Sequence, residues 1–221
     1  MTRFQRIDAT HIAQHSFLTL EDECYFLFEY TSKMGFSFSA TNNLISNLKK
    51  KPSESHRPGY HYKARAIREC SAALGPAINS KWLAEGGVLV PVPPSKAKGD
   101  PDYDERMLSI CRGIVAPTKV DVRELVTQSE SIAAAHESAD GERPSVEQYL
   151  AIYSIAEEAA TPTPTAIAVV DDVLTRGTHF RAMKLVLQAR FPGVPVVGFF
   201  IARRVFPEVD FSALFSPVGA V

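Results

Sequence analysis

One segment, residues 166–180, restricts the possible folds of this chain more than any other. It begins with five apolar residues, Ala166 to Val170, which have the length and composition of a buried β-strand. Two carboxylates, Asp171 and Asp172, follow directly, and a short loop then leads into a predicted helix that starts at Thr178. A strand that runs through a loop into a helix is typical of parallel α/β sheets, which bind ligands at the carboxyl ends of their strands.

The loop after the two acids has the composition of a phosphate-binding turn. The first backbone N–H groups of a helix lack partners inside the helix, so the turn from Thr175 to His179 can hold an anion. Gly177 allows a close backbone approach, and the hydroxyls of Thr175 and Thr178 can donate to phosphate oxygens. The neighbouring carboxylates favour a ligand that carries phosphate at one end and hydroxyls, or a metal, at the other. The alternative is an acid pair that only caps the next helix.

Predicted strands and helices alternate after residue 85, which predicts a parallel sheet flanked by helices. The predicted strands cover residues 88–90, 120–125, 166–170 and 194–201, and the predicted helices cover 104–115, 178–189 and a segment that begins with the capping-box pair Ser145 and Gln148. Residues 1–85 are predicted to be a mostly helical extension or hood, with helices over 24–30 (after the Thr19–Asp22 pair), 42–48 and 62–74. The core domain is therefore placed at residues 86–221.

Composition excludes several classes of protein. Apolar residues make up 45% of the 221 residues and charged residues 22%, which is typical of a globular chain. The three cysteines are far apart and form no metal or disulfide pattern, and no signal peptide or membrane-length apolar run is seen, so a cytoplasmic protein without membrane contact is expected. The net charge of −1 excludes a uniformly basic nucleic-acid binder. The charge is nevertheless segregated: +4 over residues 1–81, −9 over 82–175 and +4 over 176–221.

The strand, acid pair and Thr/Gly loop of residues 166–180 resemble the phosphoribosyl-pyrophosphate (PRPP) motif of the type I phosphoribosyltransferases. Arg176, Thr178 and His179 depart from the usual loop residues. The resemblance implies that Asp171 and Asp172 bind the ribose hydroxyls and hold Mg²⁺ through water. It assigns the 5′-phosphate to the loop residues Thr175, Arg176, Gly177, Thr178 and His179.

A second segment is similar to the competence-protein-F-like (amidophosphoribosyltransferase-like) subgroup of that superfamily. Val90-Pro-Val-Pro-Pro-Ser95-Lys96 resembles the pyrophosphate loop of the subgroup, and Arg106 lies near the start of the following helix. The resemblance implies that Ser95, Lys96, Lys98 and Arg106 face the pyrophosphate of PRPP, although a proline-rich turn with solvated lysines is the alternative. The polar segment 127–143 takes the place of the flexible catalytic loop, with His136 and Arg143 as its candidate residues.

The resemblance implies a cytoplasmic, Mg²⁺-dependent enzyme that transfers ribose 5-phosphate from PRPP to a nitrogen acceptor and releases pyrophosphate. A homodimer is also expected by resemblance. Two alternatives stay open: a non-catalytic module that senses PRPP or a nucleotide, and a nucleic-acid-associated accessory factor in DNA uptake or phage defence. The second would use residues 33–81, which hold 9 basic and 2 acidic residues, but a solvated surface is favoured over nucleic acid there.

Overall fold

The computed structural model describes residues 2–132 and 144–207 and contains a six-stranded sheet with helices on both faces. The strands of this sheet are β1 (Gln5–Arg6), β2 (Cys24–Thr31), β3 (Gly87–Pro91), β4 (Asp121–Val122), β7 (Ala166–Leu174) and β8 (Val196–Val205). A separate antiparallel hairpin consists of β5 (Val126–Gln128) and β6 (Tyr153–Ile155). The helices are α1 (Ala40–Leu48), α2 (Tyr62–Leu74), α3 (Ser80–Ala84), α4 (Arg106–Arg112), α5 (Val146–Ile152) and α6 (Thr178–Arg190).

The strand order β1-β2-β8-β7-β3-β4 confirms the predicted parallel α/β architecture, because every neighbouring pair except β1 and β2 is parallel. From β3 the chain passes to the edge strand β4, and it then returns to β7 on the other side of β3. The direction of winding therefore reverses between β3 and β7. In open α/β sheets, the crevice at such a reversal, beyond the carboxyl ends of the strands, is the usual place for a ligand.

Each face of the sheet is covered by its own apolar core. One face packs against α5 and α6, and the other packs against α1, α2 and α4. Alternate residues of β7 serve the two cores, since Ile167 and Val169 belong to the first and Ala168 and Val170 to the second. This alternation decides where the two acids that follow are directed.

The prediction of a helix over residues 24–30 is wrong. This segment is β2, which lies inside the sheet between β1 and β8 and pairs with β8 from Cys24–Gly198 to Thr31–Val205. A short, continuously apolar run cannot be assigned to helix or strand by periodicity, and its aromatic residues favour a strand once a partner is available. Residues 1–85 therefore contribute two strands to the sheet in addition to three helices, so a boundary at residue 85 crosses a shared sheet.

The Thr19–Asp22 pair does make one of the contacts expected of a helix start, although a strand follows it. The backbone N–H of Thr19 donates to Oδ2 of Asp22 at 2.8 Å, and Nζ of Lys184 in α6 donates to Oδ1 of the same carboxylate at 2.6 Å. The pair thus closes a turn and ties it to α6.

The other predicted elements are present with changed ends. The helix over 62–74 is confirmed as α2, and α5 begins with the predicted reciprocal capping box between Ser145 and Gln148. Lys63 of α2 belongs to the basic stretch 33–81, for which a solvated surface was favoured, but its side chain is buried. Within residues 2–132 and 144–207, no helix has the length and apolarity that crossing a membrane requires.

Candidate functional site

The two acids lie where β3 has ended but β7 continues. Pro91, the last residue of β3, pairs with Val170, whereas β7 stays paired with β8 as far as Leu174. Asp171 and Asp172 are therefore inside β7 rather than after it, as the sequence suggested, and they border the crevice between β3 and β7.

Asp171 is directed towards the layer formed by α5 and α6. Its Oδ2 lies 3.3 Å from Nδ1 of His179, and its Oδ1 accepts the backbone N–H of Asp172 at 2.7 Å. Nε2 of the same histidine lies 2.6 Å from the hydroxyl of Tyr149. Burial, helped by the charge of Asp171, raises the pKa of Tyr149, so its hydroxyl keeps its proton. The geometry allows Nδ1 of His179 to donate to the carboxylate of Asp171 while Nε2 accepts from the tyrosine hydroxyl.

Asp172 is directed towards the opposite layer and is neutralised there by two cations. Nζ of Lys49 lies 3.0 Å from its Oδ1, and Nη2 and Nε of Arg106 lie 2.7 and 3.1 Å from its Oδ2. Burial opposes the ionisation of Asp172, but the two cations outweigh it and hold the pKa of this carboxyl below its usual range. In this arrangement both carboxylate oxygens of Asp172 are occupied.

The same arginine extends the network to a second carboxylate. Nη1 of Arg106 lies 2.8 Å from Oδ2 of Asp104, which also accepts from Nζ of Lys63 at 2.7 Å. Lys63 further donates to the backbone carbonyls of Leu48 and Lys50 at 2.7 and 2.8 Å. Since these carbonyls belong to the end of α1 and the residues after it, the network fixes the N-terminal helices against the site.

The turn from Thr175 to His179 has the backbone expected of it. Gly177 precedes α6 in the left-handed region, with φ of 87°, and no side chain within residues 2–132 and 144–207 caps the helix. A Cβ at this position would lie 2.9 Å from Cδ2 of Leu18, so the turn requires glycine both for its dihedrals and for its packing. Thr175 and Thr178, which were predicted to donate to phosphate, lie beside this glycine and are partly exposed.

Residues near the N-terminus cover one side of this turn. The backbone N–H of Phe17 donates to the carbonyl of Arg176 at 2.9 Å, and the guanidinium of Arg176 lies 4.7 Å from the ring centroid of Phe17. The buried His15 places Nδ1 2.5 Å from the carbonyl of Thr175. Arg176, predicted to contact phosphate, therefore stacks on an aromatic ring here.

The proline-rich loop after β3 is held by the last residue of β5 and by a residue that follows this strand. The carbonyl of Ser95 accepts from Nε2 of Gln128 at 3.1 Å and from the backbone N–H of Ile132 at 2.8 Å. Lys98 is exposed and Lys96 is partly buried. The structure thus brings the predicted pyrophosphate loop against the start of the predicted flexible loop, whereas His136 and Arg143 lie outside the described residues.

The basic N-terminal stretch is used largely within the chain. Lys49 and Lys63 join the network around Asp172 and Asp104, and Lys51 lies 3.8 Å from Asp102. Part of the positive charge of the N-terminal stretch is therefore neutralised by carboxylates of the acidic middle of the chain. These contacts give the nucleic-acid alternative no support.

Sequence reasoning missed Lys49, Lys63 and Tyr149. Lys49 and Lys63 looked like members of a solvated basic face, and Tyr149 stands in a short helix without a motif. The opposite charges of residues 1–81 and 82–175 were the one available signal for the two lysines.

The donors for a metal are few. Among the residues that the structure describes, no group of three or more His, Cys, Asp or Glu side chains is close enough to hold an ion. Asp172 is occupied by two cations, and Asp171 offers a carboxylate whose side-chain partner among the described residues is His179. These residues do not fit a Mg²⁺ ion held by the protein alone. Mg²⁺ often binds instead through substrate phosphates together with one or two protein carboxylates.

A scan of the chain against protein-family models found no match, and a search of curated proteins found no significant relative.

Proposed function

We propose that this protein binds PRPP, as its Mg²⁺ complex, at the crevice between β3 and β7 and transfers the ribose 5-phosphate to a nitrogen acceptor, as a type I phosphoribosyltransferase does. The observation that carries the proposal is the turn at Gly177. Its left-handed glycine, uncapped α6 N-terminus and neighbouring Asp171 stand together where the winding of a parallel sheet reverses. Anions bind well at uncapped helix N-termini, and ligands at such reversals.

In this proposal the chain acts by positioning and by charge. The backbone N–H groups of the turn and the hydroxyls of Thr175 and Thr178 bind the 5′-phosphate. Asp171, oriented by His179, accepts a hydrogen bond from a ribose hydroxyl, and its negative charge stabilises the positive charge that develops on the ribose ring during displacement. Mg²⁺ enters as part of the substrate and neutralises the pyrophosphate leaving group.

The test is calorimetric titration with PRPP in the presence of Mg²⁺. Wild type should bind saturably, and Asp171→Asn should weaken binding about tenfold because a hydroxyl donor then loses a charged acceptor. Glu158→Gln, which removes a charge at an exposed position outside the site, should bind like wild type. Absence of saturable binding by wild type would contradict the proposal.

A non-catalytic PRPP-sensing module is the second candidate. Two observations favour it: Asp172 is already paired with Lys49 and Arg106, and the guanidinium of Arg176 stacks on Phe17. Both candidates bind PRPP, so turnover separates them. Pyrophosphate release from PRPP in the presence of ammonium or amine-bearing acceptors identifies the transferase, whereas binding without release identifies the sensor.

A further inference from the structure

The network around Asp172 holds one more cation than carboxylates. Lys49, Lys63 and Arg106 stand against Asp104 and Asp172, all linked through contacts of 3.1 Å or less. Buried charges usually occur in matched sets, because an uncompensated ion costs free energy in a poorly solvated place. Asp171, the neighbouring carboxylate of β7, is directed to the opposite face of the sheet, where it contacts His179. The surplus positive charge on the side of Lys49 and Arg106 therefore suits an additional anion.

The cations of this network are more accessible than the carboxylate they bind. The Lys49 side chain is 45% exposed and that of Arg106 24%, whereas Asp172 is 6% exposed. A solute that enters from solvent therefore meets Lys49 and Arg106 before it meets Asp172. Repulsion by the carboxylate is also limited, since both of its oxygens are already paired.

Arg106 is placed to change partners without becoming unpaired. Its Nη1 binds Asp104, while its Nε and Nη2 both point to a single oxygen of Asp172. A phosphoryl group can accept two parallel N–H bonds from such a pair of nitrogens. Asp104 would continue to hold the arginine during the exchange.

We propose that Lys49 and Arg106 form a binding site for a diphosphate group, and that Asp172 occupies these two cations as an internal counter-ion until the diphosphate replaces it. Lys49 thus adds a binding residue from the N-terminal part of the chain. The inference deepens the proposed function and rests on it for the rest of the ligand, but the anion site is defined by this network alone. It also reverses the role that the resemblance gives to Asp172, which becomes a competitor of the ligand.

The test uses inorganic pyrophosphate alone, titrated calorimetrically into the full chain. Lys49→Gln should weaken binding roughly tenfold or more, since a charged hydrogen bond to the anion is lost. Lys50→Gln is the matched control: it removes the same charge one residue later, where Nζ donates to the carbonyl of Gly59, and it should leave the affinity unchanged. Asp172→Asn should tighten binding several-fold, because the competing charge is removed.

Three results would overturn the inference: no pyrophosphate binding by wild type, equal affinities for Lys49→Gln and Lys50→Gln, or weaker binding by Asp172→Asn. If Asp172→Asn does not fold, the comparison of the two lysine variants decides alone. Lys49-dependent pyrophosphate binding by a chain that does not bind PRPP would keep this inference and reject the proposed function.

Discussion

Asp171 and Asp172 are consecutive residues of β7, yet their carboxylates bind partners on opposite faces of the sheet. Asp171 contacts His179 on the α6 side, and Asp172 contacts Lys49 and Arg106 on the side of α1 and α4. An acid pair that looks like a single unit in the sequence therefore serves two environments, and substitutions in it should have different effects.

Asp172→Asn should lower the free energy of unfolding by roughly 3 kcal/mol, because it removes a buried carboxylate that pairs with both Lys49 and Arg106. Asp171→Asn should cost only about 1 kcal/mol, since it weakens one partly exposed hydrogen bond. Urea unfolding at pH 7 measures both. Equal losses would show that Asp172 is not held as tightly as its geometry indicates.

Gly177→Ala should destabilise the protein by more than the roughly 1–2 kcal/mol that a left-handed alanine costs, because its Cβ would also press against Leu18. Gly193→Ala is the matched control, with φ of 81° and no atom within 4 Å of the added Cβ. The difference between their unfolding free energies isolates the packing of residues near the N-terminus on the turn. If the two variants lose the same stability, that packing is absent in solution.

Tyr149→Phe and Tyr153→Phe remove one hydroxyl each, but their effects on the free energy of unfolding should differ in sign or size. The Tyr149 hydroxyl bonds His179, so its loss should cost about 1 kcal/mol. The Tyr153 hydroxyl is buried without a hydrogen-bond partner among the described residues, so its loss should be neutral or stabilising. Thermal and urea unfolding check the pair, and a larger loss for Tyr153→Phe would reverse the assignment.

The Asp22–Lys184 pair should make stability depend on pH in the acid range. Burial of Asp22 opposes its ionisation, but the hydrogen bonds from Lys184 and Thr19 outweigh it and lower the pKa of the carboxyl. A lowered folded-state pKa gives stability that is present above the unfolded value, about 3.9, and is lost as the pH falls through the folded value. Asp22→Asn should therefore be less stable than wild type at pH 7, and the difference should shrink below about pH 4.

Unfolding at pH 7 and at pH 3 measures this difference. Glu21→Gln, on the exposed neighbouring residue, controls for the loss of a negative charge alone. A stability difference that is constant between the two pH values would show that the pair does not shift the titration of Asp22.

Much of the sheet could be predicted from local patterns, because Ala166–Val170 and residues 194–201 are apolar runs of strand length separated by the clear helix α6. Local patterns could not show whether Cys24–Tyr30 forms a helix or a strand. The partner that makes this segment a strand is β8, which lies far along the chain. The turn at Gly177 was predictable because glycine and the helix start lie within a few residues of each other.

The Asp172 network was beyond local patterns for the same reason. The sequence pattern around Lys49 and Lys63 is typical of surface lysines in a basic stretch. No neighbouring residue in the sequence indicates which carboxylate each of them binds. Only the three-dimensional path of α1 and α2 across the sheet brings them to β7. Composition shows that a positively charged segment and a negatively charged segment balance each other. It does not show which residues form the individual ion pairs.

The pairing of β2 with β8 also determines when β2 can complete its place in the sheet during synthesis of the chain. Cys24 lies beside Gly198, so a ribosome has to release nearly all of the described chain before β2 can pair with β8, although the two-residue strand β1 is available earlier. Until then β2, with its row of unpaired backbone groups and aromatic side chains, is an exposed strand edge of the kind that chaperones protect and that otherwise aggregates. Folding dominated by such distant pairings is slow, so residues 24–31 are expected to remain without their β8 partner until the end of the described chain has been synthesised.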